Sequence, residues 1–299
     1  MRSRALLNLF MLGLMVILGL VAYFKPGKHE PEVTPLAALD TRTMESLTLR
    51  NTEQLVFSKQ DGRWSLTEPF AAPANQNRVE QLLEIPRVAS EARYPVNPDD
   101  LSRFELSRPK AVLLLGGILL EFGGTNPISS NRYVRVGETL HLVKDNFFHH
   151  LTAGVTDFVD KALLPEGSVV NEIAIPGLKA VKAANGTWSF TPVDGRPDIN
   201  ELVFLWSSSR AIEVRRLQQP VKGESIHIGM VGGAAVDFII VQREPSLLLA
   251  RADLGLSYEV MPDVARGLLN QPSPATASEP SSKPTADKDA HHEHDVEPE

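Results

Sequence analysis

One eight-residue pattern occurs twice in this chain, and the duplication limits what the protein can fold into. Residues 60–67 read QDGRWSLT, and residues 184–191, which lie 124 positions later, read ANGTWSFT. Each segment is followed, in the same order, by a proline-containing loop, an amphipathic helix, a Gly-Gly hairpin, two short strands and a closing helix. The repeats of solenoid proteins are much shorter than this unit. The pattern therefore predicts two tandem copies of one domain.

The turn dipeptides of the repeated pattern predict tight hairpins. The Asp-Gly pair at 61–62 and the Asn-Gly pair at 185–186 both tolerate the positive φ angles of a two-residue type I′ turn. Trp64 and Trp188 follow these turns. They are interpreted as core residues that fix strand register, in preference to rings that stack on a ligand.

Each copy is predicted to add two helices and further hairpins. Asn75 and Asp198 are placed to cap the first helix of each copy, and Glu201 is placed to complete a capping box. The Gly-Gly pairs at 116–117 and 232–233 are interpreted as hairpin turns, because neither belongs to a phosphate-binding glycine motif. About six strands and two helices per copy predict an α+β domain with short mixed or antiparallel sheets.

The N-terminal segment predicts a membrane anchor. The run from Ala5 to Phe24 contains no charged residue and, as a helix, would span about 30 Å, the thickness of a bilayer core. A cleaved signal peptide is the alternative, but its apolar region is usually only about 7–15 residues long. Basic residues flank the run almost equally on both sides, so charge alone does not set its orientation.

Composition divides the chain further. The last 30 residues contain seven of the 37 acidic residues and two of the 30 basic residues, so the rest is close to neutral. A body without basic excess does not favour nucleic-acid binding, and the polar tail is predicted to be disordered. The predicted boundaries are 1–4 for a cytoplasmic tail, 5–24 for the transmembrane anchor, 25–41 for a linker, 42–166 for the first repeat, 167–270 for the second repeat and 271–299 for the acidic, histidine-rich tail.

Two pairs of residues are candidates for chemistry. His149 and His150 are adjacent, whereas two metal ligands on one helix need a spacing of three or four residues, so a solvated or packing role is favoured. Glu121 and Asp237 occupy similar positions on matching hairpin strands. Such carboxylates could act as acid and base, but charges that protect the surface of a sheet are the favoured interpretation.

A third candidate lies in the tail, where His291, His292 and His294 alternate with acidic residues. Without a folded frame, such a segment would bind metal weakly and unselectively. The chain has no cysteine, and it contains neither a serine-hydrolase elbow nor a nucleotide-binding motif. The sequence therefore predicts no catalytic, cofactor-binding or metal-ligating residue and no cofactor.

Several short motifs, taken in order, resemble the bacterial DUF4340 family, a domain family of uncharacterised function. They are DGRW at 61–64 followed by Pro69, FELSRP at 104–109, RYV at 132–134, FVDK at 158–161 and LLP at 163–165. The resemblance covers roughly residues 41–269. The family usually has glycine where this chain has Glu105, which is awkward if that position needs a positive φ.

The resemblance implies an envelope protein anchored in the bacterial inner membrane, with a cytoplasmic N-terminus and periplasmic domains. Such proteins are often encoded beside ABC-type transporter components of the gliding-motility type, and the family has no established catalytic residues. We therefore expect a non-enzymatic accessory subunit of such a complex, with a membrane protein as its partner. The alternatives are a periplasmic module that binds a glycan or lipid in the groove between the copies, and a hydrolase without a recognisable motif.

Overall fold

The computed structural model describes residues 2–24, 34–193 and 197–271, and within the first of these ranges it describes the side chains of residues 9–20 only. The chain forms two compact units. The first extends to Lys161 and includes Val214–Arg216, and the second comprises Ala162–Glu213 and the residues from Leu217 onward. Residues 25–33 of the predicted linker and 272–299 of the predicted tail lie outside the described residues, as do the tail histidines.

The N-terminal segment is a single helix, α1 (Arg2–Phe24). Among the described residues, no helix has both the length and the apolar character needed to cross a bilayer. The transmembrane helix predicted from Ala5 to Phe24 is therefore corrected.

Beyond α1, the first unit contains one antiparallel sheet of nine strands and two helices. Its strands are β1 (Ser46–Arg50), β2 (Gln54–Gln60), β3 (Arg63–Glu68), β4 (Ala72–Pro73), β5 (Ser90–Pro95), β6 (Ala111–Leu115), β7 (Ile118–Thr125), β8 (Arg132–Val136) and β9 (Thr139–Val143). Helix α2 (Gln76–Glu84) follows β4, and helix α3 (Phe148–Leu151) follows β9. Short 3₁₀ turns occur at Thr41–Thr43, Ile85–Arg87, Pro98–Asp100 and Val155–Phe158. The strand order is β4-β3-β2-β1-β6-β7-β8-β9-β5.

The other antiparallel sheet has eight strands and is accompanied by two helices, and all of it lies in the second unit except Val214–Arg216. Its strands are β10 (Val170–Ile175), β11 (Leu178–Lys182), β12 (Trp188–Thr191), β13 (Glu213–Arg216), β14 (Glu224–Met230), β15 (Ala235–Gln242), β16 (Leu247–Arg251) and β17 (Leu256–Val260). Helix α4 (Ile199–Ser208) lies between β12 and β13 in the chain, and helix α5 (Pro262–Leu268) follows β17. The strand order is β12-β11-β10-β14-β15-β16-β17-β13.

The two sheets have the same internal topology. Apart from the two-residue strand β4, each strand of the first sheet has a counterpart at the same place in the second. In both units the longer helix precedes the edge strand β5 or β13, and the closing helix ends the unit. The duplication seen in the sequence is therefore a duplication of a complete sheet topology.

The predicted α+β class is wrong, because the described residues beyond α1 form mainly two large antiparallel sheets with few, short helices. About six strands were predicted for each copy, whereas the sheets contain nine and eight, and the strands without a prediction include β5 and β13. These two are edge strands whose side chains are mostly exposed or half-buried. An edge strand with little apolar alternation gives almost no sequence signal, so the predicted number of strands in each sheet was too low.

The two repeated turns differ in conformation. Asp61 and Gly62 have φ angles of 49° and 78°, as the predicted two-residue turn requires. In the second copy the loop covers residues 183–187, and of the Asn-Gly pair only Gly186 has a positive φ, at 86°. The Gly186 N–H donates to the Ala183 carbonyl over 2.9 Å. The predicted type I′ turn is thus wrong for this copy, which uses a longer loop.

The structure tests the predicted helix caps and the predicted burial of the two tryptophans. The Asn75 side chain accepts the backbone N–H of Arg78, and the Asp198 side chain accepts those of Asn200 and Glu201, which confirms both predicted caps. Trp64 is buried, as expected for a core residue, whereas Trp188 is only half-buried.

A buried ion pair connects four parts of the first unit. Arg132, at the start of β8, contacts Asp145 through Nε and Nη2 at 3.0 and 2.6 Å. Its Nη1 donates to the Gly123 carbonyl in β7, and its guanidinium lies 3.3 Å from the ring centre of Phe148 in α3. Only 6% of the Arg132 side chain is exposed. Three N–H donors of this guanidinium, together with its contact to the Phe148 ring, therefore hold β7, β8 and the entry of α3 together.

A neighbouring close contact involves the turn at residues 104–106. A Cβ atom at Gly123 would lie 2.2 Å from the Phe104 carbonyl oxygen, so only glycine fits there. Glu105 has a φ of 56°, the left-handed conformation that glycine adopts most easily. The suspected mismatch at Glu105 is therefore present in the backbone.

We expect Asp145→Asn to destabilise the first unit by about 3–5 kcal/mol, because it leaves the buried guanidinium of Arg132 without a counter-charge. Urea unfolding followed by circular dichroism measures the change. Glu84→Gln is the matched control, since it breaks an exposed ion pair with Arg87 and should cost no more than about 0.5 kcal/mol. Equal costs for the two variants would contradict this account.

We expect Glu105→Gly to stabilise the protein by about 1 kcal/mol, because it relieves a left-handed conformation. The substitution also removes the exposed ion pair with Lys110, which contributes little. Glu105→Ala separates the two effects, since it removes the charge but retains the Cβ. If both variants raise the free energy of unfolding equally, the strain is not at this backbone position.

Candidate functional site on the second sheet

The two carboxylates predicted to occupy matching strands each have a partner within their own sheet. Glu121 on β7 pairs with Arg135, the residue directly opposite on β8. Asp237 on β15 contacts His227, directly opposite on β14, with 2.6 Å between Oδ1 and Nδ1. Glu121 is thus neutralised by a permanently charged guanidinium, whereas Asp237 is joined to a titratable imidazole.

The adjacent histidines form a packed pair beside α2. The rings of His149 and His150 lie 3.8 Å apart, and His150 Nδ1 lies 3.5 Å from the Arg78 guanidinium. Burial, the charge of His149 and the charge of Arg78 hold the pKa of His150 below its ordinary value. In the described part of the chain, no three His, Cys, Asp or Glu side chains form a metal-binding group. The nearby cation makes this pair a poor place for a metal ion.

The histidine–aspartate pair belongs to a polar row on one face of the second sheet. We call this the outer face, because alternate residues such as Ile226, Ile228 and Phe238 point into the core on the other side. The row crosses four strands, from Lys179 on β11 through Ala174 on β10 to His227 and Asp237. The side chain of His227 is 42% exposed and that of Asp237 is 75% exposed, so both are accessible to solvent.

A β-bulge adds an amide to this face. The register between β10 and β14 shifts between Val170 and Glu172, so Asn171 is an extra residue on β10. A Cβ atom at Gly229, on β14, would lie 3.0 Å from Cβ of Glu172, 3.3 Å from Oδ1 of Asn171 and 3.7 Å from Nε2 of His227. The missing side chain at Gly229 therefore lets Glu172, Asn171 and His227 pack closely around this buried position, which we call the Gly229 depression.

Charge at the depression is set by Lys179. Its Nζ donates to Oε1 of Glu172 over 2.9 Å. This hydrogen bond holds the pKa of Glu172 below its ordinary value, and the charges of Lys179 and His227 act in the same direction against the opposing effect of desolvation. Glu172 is therefore ionised at neutral pH, with its second oxygen not used by Lys179.

The first sheet has apolar residues at the corresponding place. The pair across β6 and β7 that corresponds to His227 and Asp237 is Val112 and Glu121. The next pair toward the turn is Leu114 and Leu119, where the second sheet has Gly229 and Ala235. The polar group around the depression is thus specific to the second copy.

Each unit also has a groove between its longer helix and its closing helix. The first has a volume of about 470 Å³ and includes Gln81, Ile85, Phe147 and His150 in its lining. The second has a volume of about 440 Å³ and includes Leu202, Leu205, Arg266 and Gly267. Because both copies have a groove between the same two helices, the groove is a consequence of the topology that the two units share.

Fold and site together define a protein of two antiparallel-sheet units whose outer faces differ in chemistry. A family model described as "Domain of unknown function (DUF4340)" matches residues 64–219, about half of the chain. The chain belongs to this family, which confirms the resemblance. Searches of curated proteins and of solved structures gave no match. The matched segment begins at Trp64 in the first sheet and ends beyond β13, so it includes Asn171 and Glu172 but neither His227 nor Asp237.

Sequence reasoning found Asp237 but missed its partners. The available signal was the hairpin at Gly232-Gly233, because counting back along both strands from the turn places residue 227 opposite residue 237. Asn171 gave no signal of its own, because a bulge shows only once the partner strand is known.

Among the described histidines, His141 is the most buried. Its Nδ1 lies 3.0 Å from Oγ of Ser90, and Arg93 is the residue opposite on β5. Burial, with a smaller contribution from the Arg93 charge, holds the pKa of His141 below its ordinary value of 6.5.

We expect the free energy of unfolding to fall as the pH drops from about 6.5. A histidine with a lowered folded pKa is protonated first in the unfolded chain, so its stabilising effect is present above the unfolded pKa and is lost as the pH falls through the folded pKa. His150 acts in the same direction. Urea unfolding between pH 7.5 and about 5 should show this slope, and His141→Gln should flatten it; an unchanged slope would exclude His141 as its source.

Proposed function

We propose that this protein is a non-enzymatic interaction subunit of an ABC-transporter-type envelope complex, with its folded units outside the cytoplasm. The observation that carries the proposal is an exposed apolar pair, Leu114 and Leu119, on the outer face of the first sheet. These leucines are 39% and 43% exposed and lie directly opposite each other on β6 and β7. Thr48 and Val56 continue the same cross-strand row on β1 and β2, and both are half-buried.

An apolar row in the middle of a sheet face suits contact with another protein. Interface cores are depleted in charge and are commonly surrounded by a polar rim. Here the Glu121–Arg135 ion pair flanks the leucines, and a neutralised pair at the rim would add specificity more than affinity. The family resemblance supplies the kind of complex, since such proteins are often encoded beside ABC-type transporter components.

The proposal is tested by affinity purification of the full-length protein from cross-linked, detergent-solubilised membranes of its own host. Mass spectrometry should recover transporter subunits with the natural protein. The double variant Leu114→Glu and Leu119→Glu should reduce their recovery at least about tenfold, because a buried unpaired carboxylate costs several kcal/mol at an interface.

Ile128→Glu is the matched control, since Ile128 is 94% exposed and lies in the loop between β7 and β8. It adds one charge of the same sign in the same unit and should leave recovery unchanged. Thermal melting should show that all variants fold. Failure to recover any transporter subunit, or a C-terminal reporter that is active only in the cytoplasm, would overturn the proposal.

A further inference from the structure

We infer that the partner protein that docks on the outer face of the first sheet carries a carboxylate that pairs with Arg50. The inference rests on the proposed docking through Leu114 and Leu119, and it states the chemistry of the segment that covers them. That segment combines apolar side chains, which cover the leucines, with an aspartate or glutamate beside them. The observation that carries the inference is an unpaired guanidinium next to the apolar row.

Arg50 lies on the same face of the sheet as the leucines. It is the exposed last residue of β1, and its neighbour directly across on β6 is Val112. Thr48, two residues earlier on β1, is directly opposite Leu114. Because side chains two residues apart on a strand point to the same face, Arg50 is adjacent to the row that contains Leu114 and Leu119. A segment that covers the leucines therefore also covers Arg50.

The carboxylates on this face are already engaged by other residues. Gln54, directly opposite Arg50 on β2, is uncharged, and its Nε2 donates to a carboxylate oxygen of Glu68 over 3.1 Å. On the other side of Val112, the Glu121 carboxylate pairs with Arg135. Within residues 34–193 and 197–271, Arg50 forms no ion pair. The apolar row is therefore flanked by a positive charge that has no counter-charge in this part of the chain.

Burial of this charge sets a requirement on the partner. Moving an unpaired cation out of water is strongly unfavourable, whereas a cation that meets a carboxylate can contribute to the choice of partner. A planar guanidinium can donate two parallel hydrogen bonds to one carboxylate, so an aspartate or glutamate fits it better than a neutral acceptor does. Arginine is also among the residues enriched where the binding energy of an interface is concentrated.

The second copy indicates that the fold does not require an arginine at this position. Arg50 is the residue of β1 opposite Val112, and Ala174 is the residue of β10 opposite His227. Val112 and His227 occupy corresponding places in the two sheets. An alanine thus completes the same ladder in the second copy. Arg50 is therefore available for recognition, and its replacement should leave the sheet folded.

The test is photo-cross-linking of the full-length protein in cells of its own host. Thr48→benzoylphenylalanine places the photoreactive group on the same face, two residues from Arg50 and opposite Leu114. Mass spectrometry should map the cross-link to a protein segment with an aspartate or glutamate close to the captured residue. Arg50→Glu should lower the yield at least about tenfold, because it places like charges together. Arg50→Lys should retain most of the yield, because it keeps the charge.

A charge exchange separates direct pairing from general repulsion. Replacing the partner's mapped acidic residue by lysine should lower the yield with the natural arginine and restore it with Arg50→Glu. Arg42→Glu is the matched control, since the Arg42 side chain is 82% exposed and lines a cavity beside α2 with Glu80 and Glu84. It makes the same change of charge and should leave the yield unchanged. Thermal melting should show that each variant folds.

The outcomes distinguish this inference from the proposed complex. An acidic captured segment that belongs to another class of protein, with the expected response to charge exchange, would support the inference and contradict the proposed complex. Capture of a transporter subunit with equal yields from Arg50→Glu and the natural protein would overturn the inference and leave the proposed complex standing. A basic captured segment, or no captured protein, would also overturn the inference. So would a loss of binding to phosphatidylglycerol vesicles in Arg50→Glu without a loss of cross-linking, which would assign Arg50 to anionic lipid.

Discussion

Hairpin register is the constraint on which the rest of the structure depends. Neighbouring strands in both sheets are antiparallel, and a slip of one residue would exchange the buried face for the exposed one. The turn at Gly116-Gly117 places Val112 opposite Glu121, and the turn at Gly232-Gly233 places His227 opposite Asp237. The chemistry of each outer face therefore follows from where two glycine pairs turn the chain.

The contacts of the buried Arg132 show that two of the family motifs stabilise the fold. Arg132-Tyr133-Val134 provides the guanidinium that joins β7, β8 and α3. The turn of the other motif contacts the same strand, since the Gly124 N–H donates to the Phe104 carbonyl and the Phe104 ring lies 4.7 Å from that of Tyr133. Two motifs distant in sequence thus meet at one structural point, which explains why they identify a family without identifying an activity.

The sequence predicted the features that depend on local physics. The turn at Asp61-Gly62 and the caps at Asn75 and Asp198 follow from residues within a few positions of one another. The edge strands β5 and β13 escaped prediction because they have little apolar alternation. The Gly229 depression could not be predicted from the sequence, because it combines a bulge with cross-strand contacts between residues some sixty positions apart.

Comparison of the two copies indicates where function can differ without affecting the fold. Phe122 and Phe238 follow the paired carboxylates on corresponding strands, and both are buried. On the outer face the carboxylate is kept as Glu121 or Asp237, but its partner changes from arginine to histidine. A guanidinium has only donors, so the first pair is complete in itself. A neutral imidazole that donates through Nδ1 retains a lone pair on Nε2, so in its neutral form His227 presents an acceptor that the first copy lacks.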